Sequence, residues 1–388
     1  MKTNSTSLLR GAWLVPALTL FLAVPNLLGD YIQTNLVSNS SATPAQVVDP
    51  NLINPWGNVS NGGSPFWVSD QGTAEPPTTT PGGVSTLYDT STSPIGIVPL
   101  VVNIPAAGKP PAVGPTGIVA NTSGFNVNGS PAFFIFDTLG GTIAGWNGTP
   151  TMTNAVTEAK VGGAVFTGLA EASTSTGTFL YAADFRKNKG IDVFDSTYKL
   201  QKSSSFPFAD PNLPKGYAPY NIQAINNNLY VEYDPVGKNG LPAPGLGNGI
   251  VDVFDSSGKF LQRLITAGQL DDPWGIALAP AGFGQFGGDL LVGNFDNGWI
   301  NAFNPTTGAF IGTLDVNGKP FAEPALWSLV FGIGMSGGSP NVLYFTSGLT
   351  LAQTGGLLGS LQATPEPATL ALLGSGLIGL LGLGRRKH

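Results

Sequence analysis

A pattern that returns about every 53 residues constrains this chain more than any other feature. Its clearest copy reads DPWGIALAP (272–280) and continues GGDLLVGNFDNGWINAFNPTTG (287–308). With Gly275 as anchor, equivalent small or polar residues fall at Gly57, Gly117, Gly168, Asn221 and Ser328, giving successive offsets of 60, 51, 53, 54 and 53 residues. A second apolar strand follows each anchor: Phe66–Ser69, Phe133–Phe136, Phe179–Ala182, Leu229–Tyr233, Leu290–Gly293 and Val342–Phe345. Asp70, Asp137, Asp184, Asp234 and Asn294 end five of these strands. A third strand closes on an aromatic residue plus Asp or Asn: Tyr88-Asp89, Trp146-Asn147, Phe194-Asp195, Phe254-Asp255 and Phe303-Asn304. Such Asx residues turn a chain by bonding their own backbone. Fourth strands are visible at 97–104, 260–265 and 310–314.

Repeats of this period, each built of several short strands, point to an array whose units bury their faces only against one another. The expectation is an all-β fold, a six-bladed β-propeller. The last unit shows three strands, and 31–38 reads as a strand without a unit of its own, so it is expected to close the ring and remove an open edge. Gly (54) and Pro (32) are abundant and charged residues make up only 10%. Apolar strands recur throughout, so the Gly and Pro read as turn punctuation rather than disorder.

The two ends differ from the body. Lys2, Arg10 and the apolar run 12–28 read as a signal helix ending near Gly29. At the other end Thr364 and the triplet Pro365-Glu366-Pro367 precede 17 apolar residues (368–384) and the basic cluster Arg385, Arg386, Lys387. Seventeen helical residues span about 25 Å, near the lower limit for a transmembrane helix. This three-part tail resembles the PEP-CTERM sorting signal of Gram-negative bacteria. The resemblance implies an exosortase-type sorting protease as partner, the inner membrane in transit or as anchor, and a cell-envelope or extracellular destination. The body, through NPWGN (54–58), FADPNLPKGYAPYNIQ (208–223), GNGIVDVFD (247–255), PWGIALAPAGFG (273–284) and LLVGNFDNGWINAF (290–303), is similar to an uncharacterised family of secreted bacterial propeller proteins. The expected organisation is a signal peptide (1–29), a propeller (30–362) and a sorting tail (363–388).

Without the two ends the chain keeps 12 basic and 22 acidic residues, a net charge of −10 with no basic stripe, which disfavours nucleic acid. It has no cysteine, and its single histidine is His388. Disulfides, thiolate chemistry, histidine-ligated zinc and histidine general bases are therefore excluded from the body. Carboxylate, amide and hydroxyl chemistry remains. In a propeller, the loops before the first strand and after the second open on one face around the central channel. Trp56, Trp274, Trp327 and Asn221 should gather there, with Glu171 near the third inner strand. The indoles offer either packing between blades or a stacking platform for sugar rings. Asp70, Asp137, Asp184 and Asp234 are candidate oxygen ligands for Ca²⁺, although residues at strand ends serve turns first.

Two functions fit. One is an exported binding or structural module of the envelope, in contact with extracellular polysaccharide in an exopolysaccharide or biofilm setting. The other is a Ca²⁺-dependent hydrolase or lactonase using channel carboxylates. They part on whether Glu171, Asn221 and the Asp residues converge.

Overall fold

The Asx residues after the third strands act as their spacing predicts. The side-chain oxygens of Asp89, Asn147, Asp195, Asp255 and Asn304 accept from the backbone N–H two residues on, at 2.8 to 3.1 Å. At all of them but Asp195 the bond folds the chain back so that a next strand lies against the last. The computed structural model describes residues 30–72, 83–107, 114–122, 124–185, 190–238 and 240–364. Within them the fold is an all-β, propeller-like array of antiparallel sheets, and no α-helix is present.

Five sheets are blades of four or more strands, one fewer than expected. The first holds Pro55–Val59, Phe66–Asp70 and Val84–Asp89, with Gly96–Ile97 and Val102–Asn103 on its outer edge. The next holds Pro115–Ala120, Phe134–Thr138, Thr142–Trp146 and Val156–Lys160. Two more run from Tyr217–Ile225 to Phe260–Thr266 and from Pro273–Leu278 to Phe310–Thr313. The fifth holds Leu326–Phe331, Val342–Ser347, Leu357–Ala363 and the N-terminal strand Asp30–Ser38.

Between residues 166 and 194 lies a sheet of only three strands: Phe166–Thr174, Gly177–Asp184 and Gly190–Phe194. The chain beyond it makes a single bridge, Phe194 to Leu200. The following segment carries Pro207, Pro211 and Pro214, which cannot donate to a ladder. Its Phe206 packs instead on Phe179, with ring centroids 4.8 Å apart, covering apolar side chains in the cluster this sheet shares with the next.

The first strand of each sheet is innermost, and each packs on the next, with Leu326–Phe331 returning onto Pro55–Val59. This crowding explains the anchors. A Cβ on Gly117 would stand 2.3 Å from Leu169 N, and one on Gly168 would stand 2.0 Å from Asn221 Oδ1. Where Asn221 replaces glycine its amide bridges strands, Nδ2 donating to Trp274 O at 2.6 Å. Apolar side chains fill the gaps between sheets, including the gap between last and first, where Val37, Phe66, Val68, Tyr344 and Leu358 meet.

The N-terminal strand runs antiparallel to Leu357–Ala363, in register from Tyr31 with Ala363 to Ser38 with Leu357. Tyr31 is buried between sheets, its hydroxyl donating to Phe283 O at 2.8 Å. Asp30 O accepts from both the backbone N–H and the hydroxyl of Thr364. The expected signal helix (1–29) and transmembrane helix (368–384) lie outside the described residues. No helix within the described residues is long and apolar enough to cross a membrane. Pro365, Glu366, Pro367, Arg385, Arg386 and Lys387 likewise lie outside them.

Candidate functional site

Two cavities lie along the inner strands, on opposite sides of the anchors. The wider, of about 520 Å³, is lined by residues that precede the anchors, among them Asn54, Trp56, Thr167, Tyr220 and Asp272, and by residues that follow the second strands, Gln71, Phe185, Phe295 and Asp296. Leu241, Pro242, Leu351 and Gln353 form its rim. The narrower, of about 240 Å³, is lined from the anchors onward by inner-strand backbone with Asn58, Glu171, Asn221 and Gln223.

An aromatic cluster of Trp56, Trp274, Trp327, Phe185 and Tyr220 sits between them. Trp56 and Trp327 stack with centroids 3.5 Å apart, and Trp274 meets both edge-on at 5.9 and 5.5 Å. Trp327 is fully enclosed, and its indole N–H donates to Asn54 Oδ1 at 3.1 Å. Trp274 donates to Thr167 O at 2.8 Å and borders the narrow cavity. Both are packing residues, so the register shared by the three tryptophans does not make three platforms. Trp56 alone of them lines the wide cavity, and its Nε1 has no partner among the described residues.

Asn54 is bonded to its neighbours in the wall of that cavity. It adopts φ +47°, accepts from Trp327, and donates through Nδ2 to Gln71 Oε1 at 2.7 Å and Gln353 Oε1 at 2.9 Å. Asp272 holds the same place in its own repeat, at φ +51°. Asn and Asp tolerate this left-handed backbone better than other L residues.

The carboxylates do not form a common ring. Asp70 accepts from Thr86 N and Oγ1, and burial pushes its pKa well up. Asp137 accepts from Thr116 Oγ1 at 2.7 Å and Gly117 N at 2.6 Å, and burial raises its pKa to about 6. Asp184 accepts from Val165 N, and Asp234 from Ala243 N, each at 3.1 Å. Each carboxylate thus has at least one oxygen bonded within its own sheet or to a flanking loop. Among the described residues no three His, Asp or Glu side chains come together closely enough to hold a metal ion. Glu171 and Asn221 do share a cavity, the narrow one, but Asp70, Asp137, Asp184 and Asp234 are not among its lining residues. Glu171 accepts from Thr122 N at 2.9 Å and from the Thr122 hydroxyl. Among the described residues, the four aspartates thus do not share a cavity with Glu171 and Asn221.

One pair does come together: Asp234 lies against Asp272. Burial, reinforced by the neighbouring charge, raises both, and Asp234 the more, so Asp234 keeps a proton and donates it to Asp272. Beyond this pairing, Asp234 Oδ1 and Asp272 Oδ1 have no partner among the described residues.

Asp272, Asp296, Tyr220, Phe185 and Phe295 were not among the sequence candidates, though the repeat carries a signal for most of them. Tyr220 takes the place of the tryptophan before its anchor. Gln71, Phe185 and Phe295 each follow the polar residue that ends a second strand.

Comparison with known proteins adds three findings. The model of the PEP-CTERM protein-sorting motif matches residues 363–387, which marks the chain for export to the envelope and exosortase-mediated processing. A likeness in fold alone links it to an α-L-arabinofuranosidase from Fusarium graminearum, solved with an iminosugar inhibitor (TM-score 0.52, 10% identity, 85% of this chain and 97% of that one). Two proteins of Acanthamoeba polyphaga mimivirus resemble it in sequence. Uncharacterized protein R648 is 34% identical over 74% of this chain and 70% of its own length, and Uncharacterized protein L690 is 30% identical over 84% of each. At these levels of identity and coverage, the chain belongs to the same family as these two mimivirus proteins.

Proposed function

We propose that this chain is an exported module of a bacterial cell envelope that binds a sugar unit of extracellular polysaccharide in its wide axial cavity. In this reading 1–29 is removed on export, 30–362 is the binding body, and 363–388 is the sorting tail. The observation that carries the proposal is the composition of the cavity wall. Trp56, Phe185, Tyr220 and Phe295 supply flat apolar faces, and Asn54, Gln71 and Gln353 supply amides at one end. A pyranose ring has the matching character, one apolar face and a rim of hydroxyls. A cavity of about 520 Å³ lies within the range that encloses small ligands. The buried, already bonded carboxylates of the second strands leave the aromatic cavity as the better candidate for function.

Titrating the purified protein with oligosaccharides from an extracellular matrix, followed by tryptophan fluorescence, tests the reading. Binding should saturate and should weaken about tenfold in Phe295→Ala, which removes one wall of the cavity. A panel of oligosaccharides that leaves the fluorescence unchanged would remove the cavity from consideration.

A further inference from the structure

The wide cavity is acidic as well as aromatic. Asp272 and Asp296 line it, Asp234 lies directly against Asp272, and Asp271 adjoins them with its carboxylate accepting from Gly245 N at 2.9 Å. None of its described lining residues is basic. The ion pairs found among the described residues join Arg263 to Asp210 and Asp252, which are not part of the cavity wall. One buried polar atom on the lining residues lacks any partner among the described residues, the donor Trp56 Nε1, on a residue 4% exposed, and Asp272 Oδ1, on a residue 2% exposed, has none beyond Asp234. Buried polar atoms without partners are uncommon and each calls for an explanation.

We propose that the cavity selects a sugar unit carrying a protonated amine, with the ammonium at Asp272 and Asp296 and a hydroxyl oxygen accepting from Trp56 Nε1. The assignment rests on the sugar-binding reading above and narrows it to one class of ligand. An ammonium offers three donors to carboxylate acceptors. Its charge is compensated here by carboxylates with no competing cation among the described lining residues. The rings of Trp56, Tyr220 and Phe295 add attraction for a cation held close to their faces. Because Asp234 holds its proton more tightly, Asp272, raised to about 7, is the one of the pair that ionises, and an incoming ammonium favours its carboxylate form. A neutral N-acetylated sugar would leave these carboxylates uncompensated.

Isothermal titration of the full-length protein at pH 7 and about 0.15 M salt, where surface attraction is screened, can use three small probes. These are methyl glucosaminide, its N-acetylated form and methyl glucoside. The expected result is binding of the amine at least tenfold tighter than either neutral probe, with that preference lost in Asp272→Asn. Asn at this position reproduces the Asn54-Pro55-Trp56-Gly57 arrangement on the same left-handed backbone, and a thermal melt checks that the variant is folded. Asp296→Asn, at a half-buried site, provides a second variant expected to weaken amine binding severalfold. Equal affinity for all three probes would overturn the amine selection while leaving the sugar-binding reading intact. Amine binding that survives both substitutions would place the attraction elsewhere and also overturn it. Failure of every probe to bind would overturn both readings.

Discussion

Replacing Gly168 by alanine tests why the repeat anchors are small. Gly168 has φ outside the left-handed region, so its backbone is open to any L residue. In open space the change would stabilise the chain by roughly 0.4–1 kcal/mol through the unfolded state. The neighbouring strand reverses the sign. The new methyl would lie 2.0 Å from Asn221 Oδ1, 2.9 Å from its Cγ and 3.0 Å from its Cα. Forcing a methyl into a packed site costs about 1–3 kcal/mol. Swinging Asn221 aside would break its bond to Trp274 O, which costs another 1–3 kcal/mol or so for buried groups left unpaired. A net loss of about 3 kcal/mol is expected in urea unfolding followed by tryptophan fluorescence. In Asn221→Ala the obstructing oxygen is gone, and adding Gly168→Ala should then cost only about 1 kcal/mol. The two substitutions should therefore couple by about 2 kcal/mol. Costs that add within about 0.5 kcal/mol would refute close approach as the reason for the glycine.

Other expectations concern buried acids and the seam. Burial raises Asp137 to about 6 and Asp252 to about 7, so each favours the folded state below the ordinary carboxylate range and loses that contribution as pH rises through its folded value. Calorimetric melting should accordingly occur at higher temperature at pH 5 than at pH 8, and the reverse order would contradict the assignment. Glu232 is fully buried with neither oxygen bonded, and burial pushes its pKa well up. Glu232→Gln should raise stability at pH 8 by more than about 1 kcal/mol and flatten the pH dependence of unfolding. Tyr31→Phe, which strands Phe283 O, should cost about 1–2 kcal/mol, whereas Tyr31→Ala should cost about 3–5 kcal/mol. Equal losses for the two in denaturant unfolding would show that the hydroxyl, not the ring, holds the seam.

Period and turn chemistry are local, and both were legible in the sequence. The Asx turns at Asp89, Asn147, Asp195, Asp255 and Asn304 need only side chain and backbone two residues apart, so reading them required no knowledge of the fold. The closing strand was legible because an unmatched strand and an incomplete unit call for each other. The three-stranded sheet was not, since the covering role of Phe206 appears only once Phe179 is placed beside it. The orientation of the second-strand acids was not legible, because repetition places them at equivalent positions without saying which way they face. Asp137 faces Thr116 and Gly117, while Asp234 faces Asp272. The pairing of Asp234 with Asp272 joins residues 38 positions apart on neighbouring sheets, a relation that no local pattern carries.

The register of Tyr31 with Ala363 also sets an order of events. The strand Asp30–Ser38 pairs along its length with Leu357–Ala363, so until that segment is made it has only its short pairings with Val47–Val48 and Asp315–Val316. Closing so long a loop is slow because its entropy is lost before any contact repays it. The final joint forms only after Leu357–Ala363 has emerged, and Thr364, bonded to Asp30, is the residue next to Pro365-Glu366-Pro367. The sorting motif, matched over 363–387, thus overlaps the last joint, and a chain truncated before Leu357 would lose both together.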